Sequence, residues 1–153
     1  MIRIYLIVLF VCLFSCDGSG KGNFPYEHNG LYWSDKSPDK MTWDEAVEYC
    51  PNLDGRLPTI SELRTLIQNC PGTETGGECE VTDSCLAFDC SYGPCGVCEY
   101  DQSGKYSVFG DAIWLWSSSE RSDNPFHAWY ANFENGSVSG YGKISKGSVR
   151  CVK

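Results

Sequence analysis

The sequence predicts an α+β fold in one domain of residues 30–153. Two helices are predicted by capping boxes of the form T-x-x-E, at Thr42 with Glu45 and at Thr59 with Glu62, each followed by apolar residues at helical spacing. Several short strand candidates follow a long cysteine-rich stretch. Because the helical patterns come first and most strand patterns come last, the order favours α+β over alternating βαβ units.

Composition excludes some classes of protein. The chain has 153 residues, of which 42% are hydrophobic and 14% aromatic, which is enough for a packed core and argues against disorder. Its formal net charge is −8. A negative surface repels the phosphate backbone, and the sequence has no basic run, so we expect no nucleic-acid partner.

The N-terminus predicts export and a lipid anchor. Residues 1–15 read as a signal peptide, with Arg3 before an apolar run at residues 4–14 that is too short to span a bilayer. The sequence LFSC at residues 13–16 resembles the lipobox of bacterial lipoproteins, which implies that the Cys16 thiol carries lipid and that the protein's partner is a membrane of the cell envelope. The alternative is an ordinary cleaved signal peptide. Residues 16–29 are predicted to be the lipidated N-terminus and a flexible tether, and the membrane leaflet stays open.

The first elements of the domain are a strand at residues 30–33 and the two capped helices. His28, just before them, is predicted to be a solvated loop residue. Arg56, between the helices, is predicted to fasten backbone carbonyls or an acid, with a ligand role as the alternative. The apolar helix faces comprise Trp43, Ala46, Val47 and Cys50 in the first helix and Ile60, Leu63, Leu66 and Ile67 in the second.

The cysteine content predicts a disulfide framework. Of ten cysteines, Cys12 lies in the signal and Cys16 is the expected lipid site. An even number remains in an exported chain, which is typical of disulfides. The simplest partition joins Cys50 to Cys151 and leaves the other six to pair among themselves in an order that the sequence does not reveal. Those six are Cys70, Cys79, Cys85, Cys90, Cys95 and Cys98.

Residues 70–98 are predicted to form a cysteine-rich insert, a glycine-containing loop fixed by disulfides. Cys95 and Cys98 form a C-x-x-C motif, which is compatible with a redox pair or half of a zinc site. No βαβ setting and no nearby histidine accompany it. Structural disulfides are therefore the favoured interpretation.

The C-terminal third predicts a meander of strands. Residues 112–117 are a continuous apolar run, and residues 118–125 are polar and predict a turn. Further strands are predicted at residues 126–133, 137–141 and 148–152, and residues 105–109 are either extended or loop. Asn135 and Gly136 predict a hairpin turn with positive φ at both central positions. Aromatic residues stand on both faces of residues 126–133, so alternation does not reveal the buried face.

Six motifs together resemble the bacterial C-type-lectin-like domains of the Lcl C-terminal type and the related Fibrobacter major paralogous domain. They are GLYW at residues 30–33, TWDEA at 42–46, RLPT at 56–59, WSSS at 116–119, AWYANF at 128–133 and SVRCV at 148–152. The resemblance implies two helices packed on a small, mainly antiparallel sheet whose first and last strands meet, which brings Cys50 near Cys151. It also implies that residues 70–98 are the long loop in which such domains place ligand-facing structure.

No catalytic or metal site is predicted. The chain lacks the triplets with which the sugar-binding members of the wider lectin fold hold calcium, and Glu120, Asp123 and Asn124 do not replace them. Calcium binding at a non-standard site stays open. His28 and His127 are the only histidines, and His127 is predicted to be a structural strand residue. We therefore expect no cofactor and no enzymatic activity.

The function predicted from these observations is ligand binding at the cell surface. The expected ligand is a glycan or a protein, held by the insert and neighbouring strand loops. Candidate ligand residues are Trp129, Tyr130, Asn132, Glu120 and Asp123, and Trp114 and Trp116 are further candidates for stacking on sugar rings. Two alternatives remain: a structural envelope protein without a ligand, and an enzyme that uses Cys95 and Cys98.

Overall fold

Two antiparallel sheets and two short helices make up residues 23–96 and 98–153, the part of the chain that the computed structural model describes. The predicted signal peptide, Cys16 and residues 17–22 of the predicted tether lie outside these residues. None of the described helices is long and apolar enough to cross a membrane. The elements are β1 (Tyr26–His28), β2 (Leu31–Trp33), α1 (Trp43–Tyr49), α2 (Ile60–Arg64), β3 (Trp114–Arg121), β4 (Asn124–Asn132) and β5 (Ser137–Gly142), with 3-10 turns at Cys50–Leu53 and Phe88–Ser91.

Both predicted capping boxes are confirmed. The Glu45 carboxylate accepts from the Thr42 amide at 2.7 Å, and the corresponding bond at the start of α2 is 2.8 Å long. The apolar face of α1 is narrower than predicted, because Val47 is 38% exposed. Helix α2 ends at Arg64, but the chain continues in tighter bonds from amide i to carbonyl i−3, which keep Leu66 and Ile67 buried.

The start and the end of the domain meet, as the family resemblance implies. The amide of Tyr32 donates to the Lys153 carbonyl, and the reverse bond also forms, both at 3.0 Å. The Cys50–Cys151 disulfide ties the same region to α1. The strand predicted at residues 148–152 is not continuous, because the chain there makes only isolated bridges through Ser148 and Val152.

The folded part begins earlier than the predicted boundary at residue 30. Phe24 is buried against Gly55, and β1 pairs with β2, with Tyr26 opposite Trp33. His28 was predicted to be solvated, and this prediction is wrong: its Nε2 donates to the Thr65 carbonyl at 2.9 Å. Residues 24–29 therefore belong to the fold and not to a tether.

Strands β3, β4 and β5 form a meander in that order. The turn predicted at residues 118–125 shrinks to Ser122 and Asp123, because β3 continues through a bulge in which the Ser117 hydroxyl donates to the Trp129 carbonyl. The hairpin between β4 and β5 is confirmed. Its connection has four residues, and among them only Gly136 is left-handed, with φ of +63°. The prediction of a two-residue turn with positive φ at both central positions is therefore wrong.

Both faces of this sheet carry buried aromatic residues, which explains why alternation did not identify the core. One face, with Trp129 and Phe133, packs with α2 and the insert. The opposite face buries Trp116 and Ala128 with residues of α1. Only part of this second face is covered, and the uncovered part carries Tyr130.

The six insert cysteines pair with one another, as predicted, in a nested pattern: Cys70–Cys98, Cys79–Cys95 and Cys85–Cys90. Cys95 and Cys98 thus belong to different disulfides. The insert also contacts the outer edge of β5 at Val138, whose amide donates to the Cys95 carbonyl at 2.8 Å. This backbone group is therefore not free to pair with another chain.

Candidate ligand-binding groove

The uncovered part of the β3–β5 sheet carries a cluster of aromatic side chains. The ring centroids of Trp114 and Tyr130 are 5.1 Å apart, and those of Trp114 and Tyr141 are 6.0 Å apart, both in edge-on contact. The cluster opens onto a cavity of about 590 Å³. We call it the aromatic groove, and its lining comprises Trp114, Tyr130, Asn132, Tyr141, Ser145 and Lys146.

Strand register brings these residues to one face. Trp114 pairs with Asn132, Trp116 pairs with Tyr130, and Tyr141 pairs with Ala128. Directly paired residues of antiparallel strands point to the same side of the sheet. Trp116 is buried beside the groove and its indole N–H donates to the Met41 carbonyl at 3.2 Å, so it forms a fixed support for Trp114, 5.0 Å away.

A close approach of the backbone fixes Trp114 from a second side. The segment that follows β5 crosses the six-membered ring of Trp114 at Gly147, where an added Cβ would overlap the ring. Only glycine fits such a contact without displacing the ring or the backbone. Trp114 is therefore clamped between Trp116 and this segment.

Polar groups surround the aromatic rings. Asn132 is held by its Oδ1, which accepts from the Glu134 amide at 3.0 Å. The Tyr130 hydroxyl is protonated at neutral pH, as any tyrosine with an ordinary pKa is, and burial raises the pKa of Tyr130 further. Flat apolar rings next to hydroxyl, amide and ammonium groups suit a ligand with both apolar and hydroxyl-bearing faces.

A second cavity, of about 370 Å³, adjoins the groove on the side of the insert. We call it the insert cavity. Tyr130 belongs to the linings of both cavities. The other lining residues are Ser91, Gly93, Cys95, Gly96, Ser137, Val138 and Ser139.

The structure brings two of the five predicted ligand residues together and separates the other three. Tyr130 and Asn132 both line the aromatic groove. Trp129 is fully buried on the opposite face of the sheet, and its indole N–H donates to the Leu86 carbonyl at 3.0 Å. It therefore supports the insert and offers no surface to a ligand from solvent.

Glu120 and Asp123 lie outside the groove, and both carboxylates have cationic partners. Glu120 pairs with Lys143. Asp123 pairs with Arg121 at 2.8 Å and also accepts from the Phe88 amide at 3.1 Å. The Arg121 guanidinium lowers the pKa of Asp123 to about 2. The bond from Phe88 joins the β3–β4 turn to the insert.

Sequence reasoning missed Tyr141, Ser145 and Lys146 as groove residues. Tyr141 carried a usable signal, since it alternates with Ser139 and Ser137 along a predicted strand and so shares their face. Ser145 and Lys146 follow β5 in a loop, where no periodicity reveals direction. Trp114 was recognised as a candidate for stacking, and it lies at the centre of the cluster.

Another cavity, of about 560 Å³, lies at the end of the sheet near the start of α1. Phe126 and Ile144 border it and are 77% and 90% exposed. His127 also borders it and is a strand residue, as predicted, with an Nδ1 atom that is buried without a hydrogen-bond partner among the described residues. This cavity lacks the cluster of contacting rings that the aromatic groove has.

No group of three or more His, Cys, Asp or Glu side chains within residues 23–96 and 98–153 is arranged to hold a metal ion. Arg56, for which a ligand role was an alternative, makes two bonds to the Glu62 carboxylate, at 2.7 and 2.6 Å. Burial opposes the charge of Glu62, but Arg56 and the cap of α2 outweigh it and lower the pKa of the carboxyl group. Arg56 thus links the inter-helix loop to α2.

The model of the Lcl C-terminal domain family matches residues 26–153 of the chain. The match begins at the first residue of β1 and covers every described strand and helix. A comparison with curated proteins gives no match.

Proposed function

The chain belongs to the Lcl C-terminal domain family, and on this premise we propose that it is an exported, lipid-anchored binding domain of the bacterial cell envelope. It has no catalytic activity in this proposal, and its ligand is a glycan held in the aromatic groove. The apolar run at residues 4–14 and the lipobox-like sequence that ends at Cys16 support the anchor. The acyl chains would hold the domain at the membrane surface with its ligand site exposed.

The proposal includes a C-type-lectin-like fold. Three features support it: two short helices beside an antiparallel meander, ends of the domain that pair with each other, and a long insert beside the ligand groove. The Cys50–Cys151 disulfide joins the first helix to the end of the chain, which agrees with the arrangement that the family resemblance implies.

The observation that carries the proposed function is the contacting trio Trp114, Tyr130 and Tyr141, which lines a cavity on the incompletely covered sheet face. Sugar rings present C–H faces that pack on aromatic rings, and they present hydroxyls that need hydrogen-bond partners. The groove supplies the rings from three strands and the polar partners from Asn132 and Ser145. Because the rings support one another, the groove requires little ordering when the ligand binds.

A protein ligand is the second candidate, and exposed aromatic residues of the insert favour it. Tyr92 and Phe88 contact each other edge-on with centroids 5.4 Å apart, and both are exposed. Aromatic residues of this kind are enriched at protein interfaces. In this candidate the ligand binds at the exposed side chains of Phe88 and Tyr92, which we call the insert tip. In the glycan candidate the ligand binds in the aromatic groove.

Binding measurements on the exported protein separate these candidates. We expect neutral oligosaccharides to bind in a glycan array and in calorimetric titration, and Trp114→Ala to raise Kd about fivefold or more, since loss of a central aromatic contact costs more than about 1 kcal/mol. Tyr100→Ala is the matched control, because this exposed tyrosine lies outside the groove lining. Failure of all neutral glycans to bind, or equal loss in both variants, would refute the proposal.

A further inference from the structure

We propose that the side chains of Phe126 and Ile144 insert into the surface of the bilayer to which the domain is anchored, and so form a second membrane contact besides Cys16. This inference goes beyond ligand binding. One of its steps rests on the proposed lipid anchor, but its test does not need the anchor. It gives a role to the cavity near the start of α1, which we call the sheet-end cavity.

The first step is the exposure of two large apolar side chains at the same end of the sheet. Phe126 lies near the start of β4 and Ile144 follows β5, and they are the two most exposed large hydrophobic residues in the described part of the chain. The Lys143 amide donates to the Phe126 carbonyl at 2.9 Å, so the two segments lie side by side. Both side chains border the sheet-end cavity. Adjacent exposed apolar side chains mark a contact surface.

The second step is the charge around this surface, which is largely paired. Glu120 forms an ion pair with Lys143. Hydrogen bonds of the α1 cap, and then the nearby Lys146 ammonium, lower the pKa of Glu45, so these two opposite charges also lie near each other. Asp44 borders the cavity, is exposed and makes no ion pair with any described residue. Its carboxylate attracts the ammonium of a zwitterionic headgroup and repels an anionic lipid.

The third step is the length of the tether. The seven residues 17–23 between Cys16 and Phe24 span at most about 25 Å when fully extended. Phe24 packs against Gly55, beyond the end of α1, whereas the sheet-end cavity lies at the start of α1. Because α1 is about 10 Å long, the tether is long enough for both ends of the helix to lie at the membrane surface. Tethering also raises the effective concentration of lipid, so a weak contact is sufficient.

Exposed positions allow a matched pair of variants. Phe126→Thr combined with Ile144→Thr removes both apolar side chains at positions where little packing is lost. Phe88→Thr combined with Tyr92→Thr is the control, because it removes two exposed aromatic side chains from the insert tip. If the first double variant is misfolded, Ile144→Asp alone tests the same surface from a loop position.

The experiment measures flotation with vesicles of phosphatidylethanolamine and phosphatidylcholine. All variants are made in the exported Cys16→Ala chain, which carries no acyl group. We expect this chain to bind the vesicles, and Phe126→Thr with Ile144→Thr to bind at least about tenfold more weakly, since two large apolar side chains no longer enter the lipid. The control variant should bind as the parent chain does. Phosphatidylglycerol in place of phosphatidylcholine should weaken binding, because Asp44 repels it.

Contrary outcomes are equally defined. Absence of vesicle binding by the Cys16→Ala chain, equal loss in both double variants, or tighter binding to phosphatidylglycerol vesicles would overturn the inference. Self-association that the Phe126→Thr and Ile144→Thr changes abolish, without vesicle binding, would also overturn it and assign the surface to a second copy of the chain. None of these results affects glycan binding in the aromatic groove. Mass spectrometry of the N-terminal peptide tests lipidation of Cys16 separately.

Discussion

Trp114 holds its position because the chain has no side chain at Gly147. The ring would overlap a Cβ at this position, whereas a Cβ at Gly142 meets no atom within 4 Å. We expect Gly147→Ala to lower the free energy of unfolding by about 1–3 kcal/mol, the usual cost of overpacking, and to weaken glycan binding by displacing the ring. Chemical denaturation and titration measure both effects. Gly142→Ala is the control, and equal effects of the two substitutions would contradict this role for Gly147.

Asp123 gives the β3–β4 turn a defined dependence on pH. Its pKa is lowered to about 2 by Arg121, against about 3.9 for an unperturbed aspartate. Since the folded pKa is the lower one, the stabilisation is present above about pH 4 and is lost as the pH falls toward 2. NMR titration of the carboxyl carbon should give a midpoint near 2, and Arg121→Gln should raise it. A midpoint near 4 in the unmodified protein would exclude this ion pair in solution.

At the scale of elements, Arg64 of α2 holds the insert in place. Its buried guanidinium donates to the carbonyls of Thr73, Glu74 and Val81 at 2.7–3.0 Å, and burial lowers its pKa. These bonds fasten the first part of the insert to the helix. The insert therefore depends on a helix side chain as well as on its own disulfides.

Replacing Arg64 tests this dependence. Arg64→Lys keeps the charge but loses the planar guanidinium. We expect the free energy of unfolding to fall by about 3 kcal/mol, because hydrogen bonds to charged groups contribute about 1.5–3 kcal/mol each. The control is Arg56→Lys, whose half-exposed pair with Glu62 should contribute less than about 1 kcal/mol. Denaturation with the disulfides intact measures both. If Arg64→Lys is no more damaging than Arg56→Lys, Arg64 does not hold the insert in place.

The elements predicted well from the sequence are those with local signals. Thr42 and Thr59 marked the helix starts because a capping box involves residues only three positions apart. Strand β1 was missed although a local signal was present, since Asn29 and Gly30 form the two-residue turn between β1 and β2 and both have positive φ. The contact of His28 with Thr65 had no local signal, because the two residues are 37 positions apart in the chain. Trp129 and Tyr130 were equally plausible ligand residues, because alternation separates two faces without saying which of them is covered.

At the scale of the whole molecule, the sequence predicts attachment to a membrane through Cys16. Each buried CH2 of an acyl chain contributes about 0.8 kcal/mol, so two or more chains hold a protein firmly. We expect Cys16→Ala to move the protein from the membrane fraction to the soluble fraction after washing without detergent. Cys12→Ala, a change within the signal, is the control and should leave the protein on the membrane. Retention of Cys16→Ala would contradict the lipid anchor.

The aromatic groove is also a property of the whole molecule, which explains why the sequence predicted it only in part. Tyr130 and Asn132 come from a recognisable strand, whereas Lys146 and the insert cavity are brought to them by the β5 loop and by disulfide pairing. Cysteine counting predicted that six cysteines pair among themselves, but many pairings satisfy that condition. The nested pairing places Cys95 beside the edge of β5.

Glycan binding in the aromatic groove is tested most directly by NMR mapping on the isotope-labelled protein. A neutral oligosaccharide that binds in calorimetry is titrated while the amide and indole signals are followed. We expect the largest shifts at the Trp114 indole N–H, the Asn132 side chain and the amides around Tyr130, with Phe126 and Ile144 unchanged. Shifts confined to the cavity of Phe126 and Ile144 or to the insert tip at Tyr92, with none in the groove, would contradict it.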